Sequence, residues 1–510
     1  MSTFQTTRRG FLKTSGMLTL GFSLLGCDQL VNGNVIQSAP EPEAYKPDES
    51  RIDAWLRIFE NGEIEVITGK QELGQGIRTA IMQVAADELN TDIDMISVHM
   101  AETGYTPNER YTAGSRSIES SAMSVRNAAA TAREMLLQMS AEKLGLSTDQ
   151  LTIANGAISN NDGQQITFQE LLNGRQLTDT VTKDIVSWGK TKRKWVGKPI
   201  PRRDIEKMVT GELTYVQDLR FPGMVHARVV RPSGYDAKLE TLEQSQWAER
   251  ESLLKLVRNG SFVAVVCEEE YEAIRLKQEM EKHMSWKEGA QLPAEQDMKT
   301  YLKSLPADEQ IDENKGNTEK AFGIAEITHR ASYFKPYIMH AANGPSCAVA
   351  KYEGGQLDIW THSQGVYPLR STLANMLSLP ERNIHVKGVH GSGCYGHNGA
   401  DDVAAEAALI AMEYPGKHIR LQWMREDENA WEPYGTAMVM ELQAGLDGNG
   451  RIRGWKYDVW SDGHSTRPGG NADALLPARY LDKGFGKPGS GFRGGAVRNA
   501  PPYYQIEDVQ

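Results

Sequence analysis

Three glycine-rich segments contain the residues whose types and spacing are best suited to binding a ligand. They are residues 69–76 (GKQELGQG), 112–117 (TAGSRS) and 391–396 (GSGCYG), and each precedes a predicted helix. Glycine lets backbone N–H groups approach an anion closely, and the N-terminus of a helix attracts negative charge. The hydroxyl groups of the second segment also suit helix caps, which is their commoner use. Three such segments in one chain favour a single large polyanionic cofactor.

The segment at 391–396 also fits the G-x-G-x-x-G pattern of a dinucleotide-binding loop between a strand and a helix. A nicotinamide- or flavin-dependent oxidoreductase is therefore an alternative. Against it, Glu426 lies 30 residues beyond Gly396, whereas the pattern places its ribose-binding acid after about 20 residues. Asp401 and Asp402, at the start of the next predicted helix, would also repel a pyrophosphate. These arguments count against a dinucleotide but not against another anionic ligand at this loop.

The N-terminus has the features of an export signal. Arg8 and Arg9 precede an apolar run at residues 16–26. At 1.5 Å per residue this run is too short to cross a hydrocarbon core of ~30 Å. A basic start followed by a short apolar run is typical of a twin-arginine signal peptide, which exports proteins already folded.

A lipid-attachment sequence follows the apolar run. Leu24-Leu25-Gly26-Cys27 resembles a bacterial lipobox, so we expect lipidation of Cys27, and a plain signal peptide with an incidental cysteine is the alternative. Asp28 resembles the signal that retains lipoproteins on the inner membrane. Residues 28–50 are polar and contain prolines, as in a solvated tether. The expected location is the periplasmic side of the inner membrane, through a lipid anchor.

Composition excludes several classes of protein. The 510 residues include 56 Lys and Arg against 67 Asp and Glu, a formal net charge of −11, which argues against nucleic-acid binding. This length predicts several domains. Four cysteines (Cys27, Cys267, Cys347 and Cys394) form no C-x-x-C pair. A zinc ribbon or an iron–sulfur cluster held by this chain alone is therefore not expected.

Helices and strands around the glycine segments must position them. Asn61-Gly62 and Asn155-Gly156 each predict a hairpin turn. Apolar periodicity predicts helices at 78–89, 120–144, 269–284, 367–377 and 401–412, and strands at 54–59, 63–68, 357–360, 383–389 and 418–424. Two further β-runs flank residues 447–450. From residue 331 onward the pattern alternates strand and helix.

Together these segments resemble the molybdopterin-binding large subunit of the xanthine dehydrogenase / aldehyde oxidase family. The most similar branch is that of the isoquinoline 1-oxidoreductase beta subunit and nicotinate dehydrogenase. The resemblance covers the chain from residue 51 onward, and it is carried by residues 69–89, 111–134, 197–232, 340–350, 363–370, 391–409 and 492–504. The set of motifs is specific to this family, although no single motif is.

The resemblance implies an α+β fold with permuted molybdopterin-binding domains and an α/β hammerhead domain. Its expected ranges are a signal at 1–27, a tether at 28–50, the N-terminal part of the second molybdopterin-binding domain at 51–180, the hammerhead at 195–290, an exposed excursion at 291–320, the first molybdopterin-binding domain at 325–485, and the start of the return into the second domain at 486–510.

The resemblance also implies the roles of individual residues. Gln75, with Gly74 and Gly76, would bind the cofactor, Gly114 and Ser115 would contact its phosphate or pterin, and Gln364 would lie near the metal's oxo ligand. The loop beneath the metal would be formed by Gly393, Cys394, Tyr395 and Gly396. Cys394 is equally well explained as a small residue in a tight loop. His340 and His397 are more readily interpreted as structural than as catalytic residues.

The cofactor expected from the resemblance is molybdenum held by a pyranopterin dithiolene, including its cytosine dinucleotide form. The family oxidises an N-heteroaromatic or aldehyde substrate, takes the oxygen from water, and passes electrons to [2Fe–2S] clusters. Here those clusters would lie on a small partner subunit, often with a c-type cytochrome beyond it. The scattered cysteines fit this division of labour.

One expected element of the family does not match. The family's Gly-Glu segment, whose glutamate acts as general base, has no counterpart here, so no catalytic residue is assigned. Glu72 and Glu507 do not fit that motif. The expectation is that the chain is a fragment, or that a second polypeptide supplies the missing C-terminal segment. A truncated, non-catalytic remnant or scaffold subunit is a further alternative.

Overall fold

The structure is a computed structural model of the chain that describes residues 47–182, 185, 193–232, 234–290, 298–463, 467–486 and 494–510. The predicted signal peptide, Cys27 and most of the predicted tether lie outside the described residues. Across the described ranges, no helix combines the length and the apolar character needed to cross a bilayer.

Short strands and helices alternate along the described residues. The strands are β1 Leu56–Ile58, β2 Ile64–Thr68, β3 Ile96–Met100, β4 Leu151–Ala154, β5 Ala157–Asn160, β6 Gln165–Thr167, β7 Val225–Val230, β8 Lys238–Thr241, β9 Lys255–Asn259, β10 Phe262–Cys267, β11 Ser285–Lys287, β12 Ile327–Lys335, β13 Cys347–Glu353, β14 Gln356–Thr361, β15 Ile384–Gly388, β16 His418–Gln422, β17 Met438–Leu446, β18 Ile452–Ser461 and β19 Asp508–Val509. The α-helices are α1 Ile77–Leu89, α2 Met123–Leu144, α3 Phe168–Leu172, α4 Ile205–Thr210, α5 Gln244–Ala248, α6 Glu270–Glu281, α7 Met298–Ser304, α8 Thr318–Gly323, α9 Val366–Leu377, α10 Ala400–Glu413, α11 Arg425–Trp431 and α12 Gly494–Val497.

A three-stranded sheet, in the order β1-β2-β3, carries the first glycine segment. Gly62 lies in the β1–β2 turn with a φ of +82°, and Leu56 pairs with Val66, which confirms the hairpin predicted at Asn61-Gly62. β3 runs parallel to β2, and α1 connects the two strands and packs on α2. α2 ends at Gly145 in the left-handed region, as predicted.

A seven-stranded sheet, in the order β15-β14-β13-β16-β7-β10-β9, carries the third glycine segment. It joins strands of the predicted hammerhead range to strands of the predicted first molybdopterin-binding range, because β7 pairs in parallel with β16. α10 packs on β13, β14 and β16. The sheet crosses the boundary predicted between these two ranges, and the predicted domain limits stay a prediction.

The two sheets are joined by backbone hydrogen bonds at the outer edge of β15. Gly388 N–H donates to the carbonyl oxygen of Ala101 (2.7 Å), and Thr103 N–H donates to the carbonyl oxygen of Val386 (3.0 Å). The segment after β3 therefore extends the seven-stranded sheet by a short edge. This joint lies immediately before the third glycine segment and fixes where that segment begins.

A third sheet, in the order β12-β17-β18-β19, lies in the C-terminal half of the chain. β17 and β18 pair in antiparallel fashion across residues 447–450, as their flanking β-runs predicted. β12 was not predicted; it is a nine-residue edge strand whose residues are mostly exposed. Exposed edge strands lack the apolar alternation by which a strand is recognised in sequence.

Candidate functional site

The three glycine segments are brought together by buried polar contacts. Gln71 N–H donates to the Thr112 hydroxyl (2.7 Å), and its side-chain Nε2 donates to the carbonyl oxygen of Val389 (2.7 Å). Lys70 Nζ donates to the carbonyl oxygens of Glu109 (2.7 Å) and Tyr111 (3.0 Å). The first segment therefore holds the second through Thr112 and the approach to the third through Val389.

Gln364 lies at the centre of this arrangement and is buried. Its Nε2 donates to the carbonyl oxygen of Thr112 (2.8 Å), and Thr112 N–H donates back to the Gln364 carbonyl oxygen (2.8 Å). Arg467 Nη1 donates to Gln364 Oε1, and its guanidinium lies 5.2 Å from the centre of the Tyr111 ring. Gln364 thus connects the second segment to a cation for which the sequence carries no motif.

In the first segment, the carboxylate of Glu72 occupies the helix N-terminus. Glu72 Oε1 accepts hydrogen bonds from Gly74 N–H and Gly76 N–H (both 2.9 Å), and Oε2 accepts one from Arg78 N–H (3.0 Å). The Gln75 amide folds back on the same loop, accepting from Leu73 N–H (2.6 Å) and donating to the Gln71 carbonyl oxygen (2.9 Å). These donors of the predicted anion cradle are therefore satisfied by the protein's own carboxylate.

The second segment keeps its backbone donors open. Gly114 and Ser115 both lie in the left-handed region, with φ of +68° and +59°, and both are exposed. Among the described residues, the N–H groups of 113–116 donate to no protein atom. Ser117 makes no side-chain cap to the turn that follows, so the capping interpretation is wrong for this residue. The segment fits an anionic ligand better than it fits a cap.

The third segment has a similar open backbone. Gly393, Tyr395 and Gly396 have positive φ values of +106°, +55° and +147°. Within the part of the chain that the structure describes, the N–H groups of residues 393–396 donate to no protein atom. Consecutive N–H groups in such alternating conformations form an anion-binding concavity. A Cβ atom on Gly396 would lie 2.1 Å from His340 Cδ2, so this position requires glycine.

Cys394 and Tyr395 occupy opposite environments within this loop. Cys394 is buried, its Sγ donates to the carbonyl oxygen of Gly396 (2.8 Å), and burial raises the pKa of its thiol. A buried thiol with a raised pKa is a poor nucleophile and metal ligand, which agrees with its interpretation as a small residue filling a tight loop. Tyr395 is 65% exposed, so its ring is available to a ligand above the loop.

The start of α10 carries two buried acids directly after the loop. Asp401 accepts a hydrogen bond from the Ser363 hydroxyl (2.5 Å) and pairs with His397 Nε2 (3.4 Å). Burial raises the pKa of Asp402 to about 7. The anionic Asp401 at this helix start disfavours a pyrophosphate, as the sequence predicted. This geometry argues against the nicotinamide or flavin alternative for residues 391–396.

Several bacterial oxidoreductases are similar to this chain, and three of them show how much of it is matched. It is 35% identical to a subunit of nicotinate dehydrogenase from Pseudomonas putida, over 83% of this chain and 36% of that protein. It is 24% identical to a membrane-bound aldehyde dehydrogenase (pyrroloquinoline-quinone) of Gluconacetobacter polyoxogenes, over 98% and 65%. It is 22% identical to the beta subunit of isoquinoline 1-oxidoreductase from Brevundimonas diminuta, over 91% and 65%. The chain spans between about a third and two thirds of these relatives.

Two family models, both described as a molybdopterin cofactor-binding domain, match the regions around the glycine segments. The model of the second such domain matches residues 30–199, and the model of the first matches residues 303–478. The chain belongs to the xanthine dehydrogenase / aldehyde oxidase family. The order of the two matches agrees with the permuted arrangement expected for this family, and the mixed helix-and-sheet fold class is confirmed.

Family membership leaves the contacts of individual residues as predictions. The residues expected to bind the cofactor are Gly74, Gln75, Gly76, Gly114, Ser115, Gln364, Gly393, Cys394, Tyr395 and Gly396. The structure adds Glu72 and Arg467 to their surroundings, together with the buried imidazole of His362, which a Cβ on Gly391 would meet at 2.6 Å. Arg467 lies 103 residues from Gln364 along the chain, and no local pattern links the two. Glu72 had no local signal either, since it lies four residues before the N-cap Gly76, whereas the capping pattern places its glutamate three residues after the N-cap.

Proposed function

We propose that this chain is the molybdopterin-binding subunit of a molybdenum hydroxylase. The observation that carries the proposal is that two loops with open backbone donors, 113–116 and 393–396, lie within the ranges matched as molybdopterin cofactor-binding domains. A polyanionic pterin needs such donors at close backbone range. When bound, the cofactor supplies two-electron oxidation of the substrate with oxygen taken from water.

The chain's own residues would hold and orient this group. The N–H groups of the two loops would bind the anionic parts of the cofactor, and Arg467 would add positive charge. Gln364 would hold the 113–116 loop through its hydrogen bond to Thr112 and would hold Arg467 through its side-chain oxygen. The loop of residues 69–76 would contribute only through the second N–H of the exposed Gln75 amide, because the first donates to Gln71 and because Glu72 already satisfies Gly74 N–H and Gly76 N–H. The proposed cofactor is molybdopterin, either without a nucleotide or as its cytosine dinucleotide.

The proposed substrate class rests on the names of the relatives, and the proposed electron partners rest on the family resemblance. The names of the three relatives refer to nicotinate, an aldehyde and isoquinoline, so we propose an N-heteroaromatic or aldehyde substrate. Electrons would leave to a small [2Fe–2S] subunit and from there to a c-type cytochrome. We also propose twin-arginine export and a lipid at Cys27, on the periplasmic side of the inner membrane.

The deciding experiment is the molybdenum content per chain, measured by inductively coupled plasma mass spectrometry on protein isolated from its own host with its partners. A ratio near one supports the proposal, and N-heterocycles and aldehydes would then be tested with an artificial electron acceptor. A ratio near zero in folded protein would favour the remnant or scaffold alternative. An absorbance spectrum and mass analysis of the released cofactor would expose a flavin or a quinone instead.

The location is tested separately with Cys27→Ser. We expect the wild-type protein in the membrane fraction of its host and the variant in the soluble periplasm, because the variant lacks the thiol that would carry the lipid. A variant that remains membrane-bound, or a wild type that is soluble, would contradict the lipid anchor without affecting the proposed activity.

A further inference from the structure

One edge of the third sheet is open along the whole length of β12. This strand pairs with β17 over all 9 of its residues, without a shift in register. Across the described residues, no backbone N–H or carbonyl group of 327–335 forms a hydrogen bond on the other side of the strand. Edge strands are commonly blunted by a proline or a bulge, and β12 has neither. Its outer edge can therefore accept a further antiparallel strand.

Two helices cover the ends of one face of this sheet and leave the middle of the face open. Phe322 of α8 lies against Gly445 and Gly454, and Leu302 of α7 packs with Val439. Between the two helices lies a groove of about 370 Å³ with a polar floor. Taken strand by strand from the edge, the floor consists of one row with Arg330, Gln443 and Lys456 and a second row with Ser332, Glu441 and Asp458.

The two rows of the groove floor carry opposite charge. The first row contains two cations, and the second contains two carboxylates. Glu441 pairs with Lys303 of α7 (2.6 Å), and Asp458 pairs with Lys456 (3.7 Å). Arg330 is exposed and forms no ion pair within the described ranges. A cation without a counter-charge therefore stands at the open edge, beside an acidic row.

We propose that β12 pairs with β12 of a second copy of this chain, in antiparallel orientation and centred on Ala331. The pairing joins two four-stranded sheets into one continuous sheet. The two-fold axis places Arg330 of one copy opposite Ser332 of the other, so that the basic row of each copy continues into the acidic row of its partner. Glu441 of the second copy then lies about 10 Å away between Cα atoms, which is two strand spacings. The guanidinium of Arg330 can reach it past the small Ser332.

Charge selects this register over its neighbours. A pairing centred on Arg330 would place two arginines directly opposite each other. A pairing centred on Ser332 would place the two acidic rows side by side. Like charges directly opposite each other destabilise a strand pair. Only the register centred on Ala331 puts the basic row next to the acidic one.

The other face of the strand gains apolar contacts in the same register. Tyr333 is 53% exposed in the single chain, and the pairing places it opposite His329 of the second copy. Ile327, which is also exposed, lies opposite the aliphatic stem of Lys335. Aromatic and apolar cross-strand pairs stabilise antiparallel sheets. The proposed dimer therefore covers exposed apolar groups as well as the open backbone edge.

A disulfide at the two-fold axis tests both the pairing and its register. Residues directly opposite each other in an antiparallel pair have Cα atoms about 4.5–5.5 Å apart, within the reach of a disulfide. We expect Ala331→Cys to form a covalent dimer of the full chain on mild oxidation, visible on a non-reducing gel. Thr328→Cys is the matched control on the same strand, because its two copies would lie about 20 Å apart. Cys267, Cys347 and Cys394 are buried, and the wild type controls for Cys27.

The assembly itself is measured on the wild-type protein, isolated from its host with its partners, by native mass spectrometry. We expect two copies of this chain in each complex. Arg330→Glu should raise the dissociation constant of the dimer by about 10-fold or more, because it brings a carboxylate against the acidic row. Arg330→Lys should keep the dimer. Arg258→Glu is the matched control, since Arg258 is an exposed arginine on β9, an edge strand of the seven-stranded sheet.

Several results would overturn the inference. One copy of the chain per complex would do so, and protection of residues 327–335 from hydrogen exchange in that complex would assign the edge to a different polypeptide. Equal cross-linking of the two cysteine variants, or an unchanged dissociation constant for Arg330→Glu, would also overturn it. The inference does not depend on the cofactor. A dimer without molybdenum would therefore support this inference while it overturned the proposed function.

Discussion

A cluster of charged side chains at the joint between the first sheet and the edge of β15 tests whether its ion pairs stabilise the protein. The Glu102 carboxylate lies 2.7 Å from His99 Nε2, 3.0 Å from His385 Nε2 and 3.3 Å from Lys387 Nζ. Asp358 Oδ1 lies 3.2 Å from the other ring nitrogen of His385. Hydrogen bonds to Asp358 and Glu102 raise the pKa of His385 to about 9, and those to Glu102 and Glu65 raise the pKa of His99.

The size of the expected stabilisation follows from the shift in the pKa of His385. A rise from 6.5 to about 9 corresponds to at most ~3 kcal/mol of stabilisation, at 1.36 kcal/mol for each pH unit. Because 41% of the His385 side chain is exposed, solvent screening reduces this figure, and Glu102 shares the effect with Asp358. We therefore expect Glu102→Gln to lower the free energy of unfolding by about 1 kcal/mol at pH 6.

The raised pKa of His385 also fixes the direction in which the stability difference changes with pH. A raised pKa in the folded state contributes stability that is complete below 6.5 and is lost as the pH rises through about 9. The difference between wild type and Glu102→Gln should therefore shrink between about pH 6.5 and about pH 9.5. Urea unfolding at several pH values measures it, and NMR of isotope-labelled histidines measures the pKa of His385 directly.

The control for this experiment is Glu353→Gln, which removes a carboxylate from the exposed pair with Lys351 and should change stability little at any pH. A difference for Glu102→Gln that stays constant from about pH 6 to about pH 10 would refute the reasoning. So would a His385 that titrates near 6.5 in the wild type, because the carboxylates would then not stabilise its charged form.

Three further changes test other parts of the structure. Glu72→Gln should destabilise the protein by about 2 kcal/mol, because three N–H groups lose a charged acceptor, and a thermal melt that does not move would contradict this. Arg231→Met should cost about 3 kcal/mol by urea unfolding, since it leaves the fully buried Glu406 carboxylate without its cation at 2.6 Å; a stable variant would show that Glu406 is protonated. Gly396→Ala should lower molybdenum per chain at least several-fold, because its Cβ would meet His340 at 2.1 Å and push the N–H groups of residues 393–396 out of place, whereas Cys394→Ala should retain it.

Local features of the fold were predictable wherever the signal lies in neighbouring residues. Asn61-Gly62 and Asn155-Gly156 form hairpin turns because asparagine and glycine tolerate positive φ, which Gly62, Asn155 and Gly156 adopt. Gly145 ends α2 for the same reason. The strand–loop–helix order around residues 384–413 also follows from periodicity, and the structure places the helix start within one residue of its predicted position.

Long-range pairing could not be predicted in this way. β7 and β16 lie side by side although Val225 and Ile419 are far apart in sequence, and nothing in either strand specifies the other. The role of Glu72 also depends on loop geometry, since only the folded backbone shows that its two oxygens reach three N–H groups. The grouping of the three glycine segments was expected from the family resemblance, and the contacts of Gln71 and Gln364 provide its physical basis.

The position of Glu72 bears on whether the chain folds before or after it binds a cofactor. A loop whose N–H groups bind an external anion is stabilised only when that anion is bound. In the loop of residues 69–76, the Glu72 carboxylate of the chain itself takes this place. The start of α1 can therefore fold during synthesis, before any cofactor is present. The two loops that remain open would then be the last part of the chain to become ordered. Cofactor insertion would then be the last step of assembly, on a scaffold that has already folded.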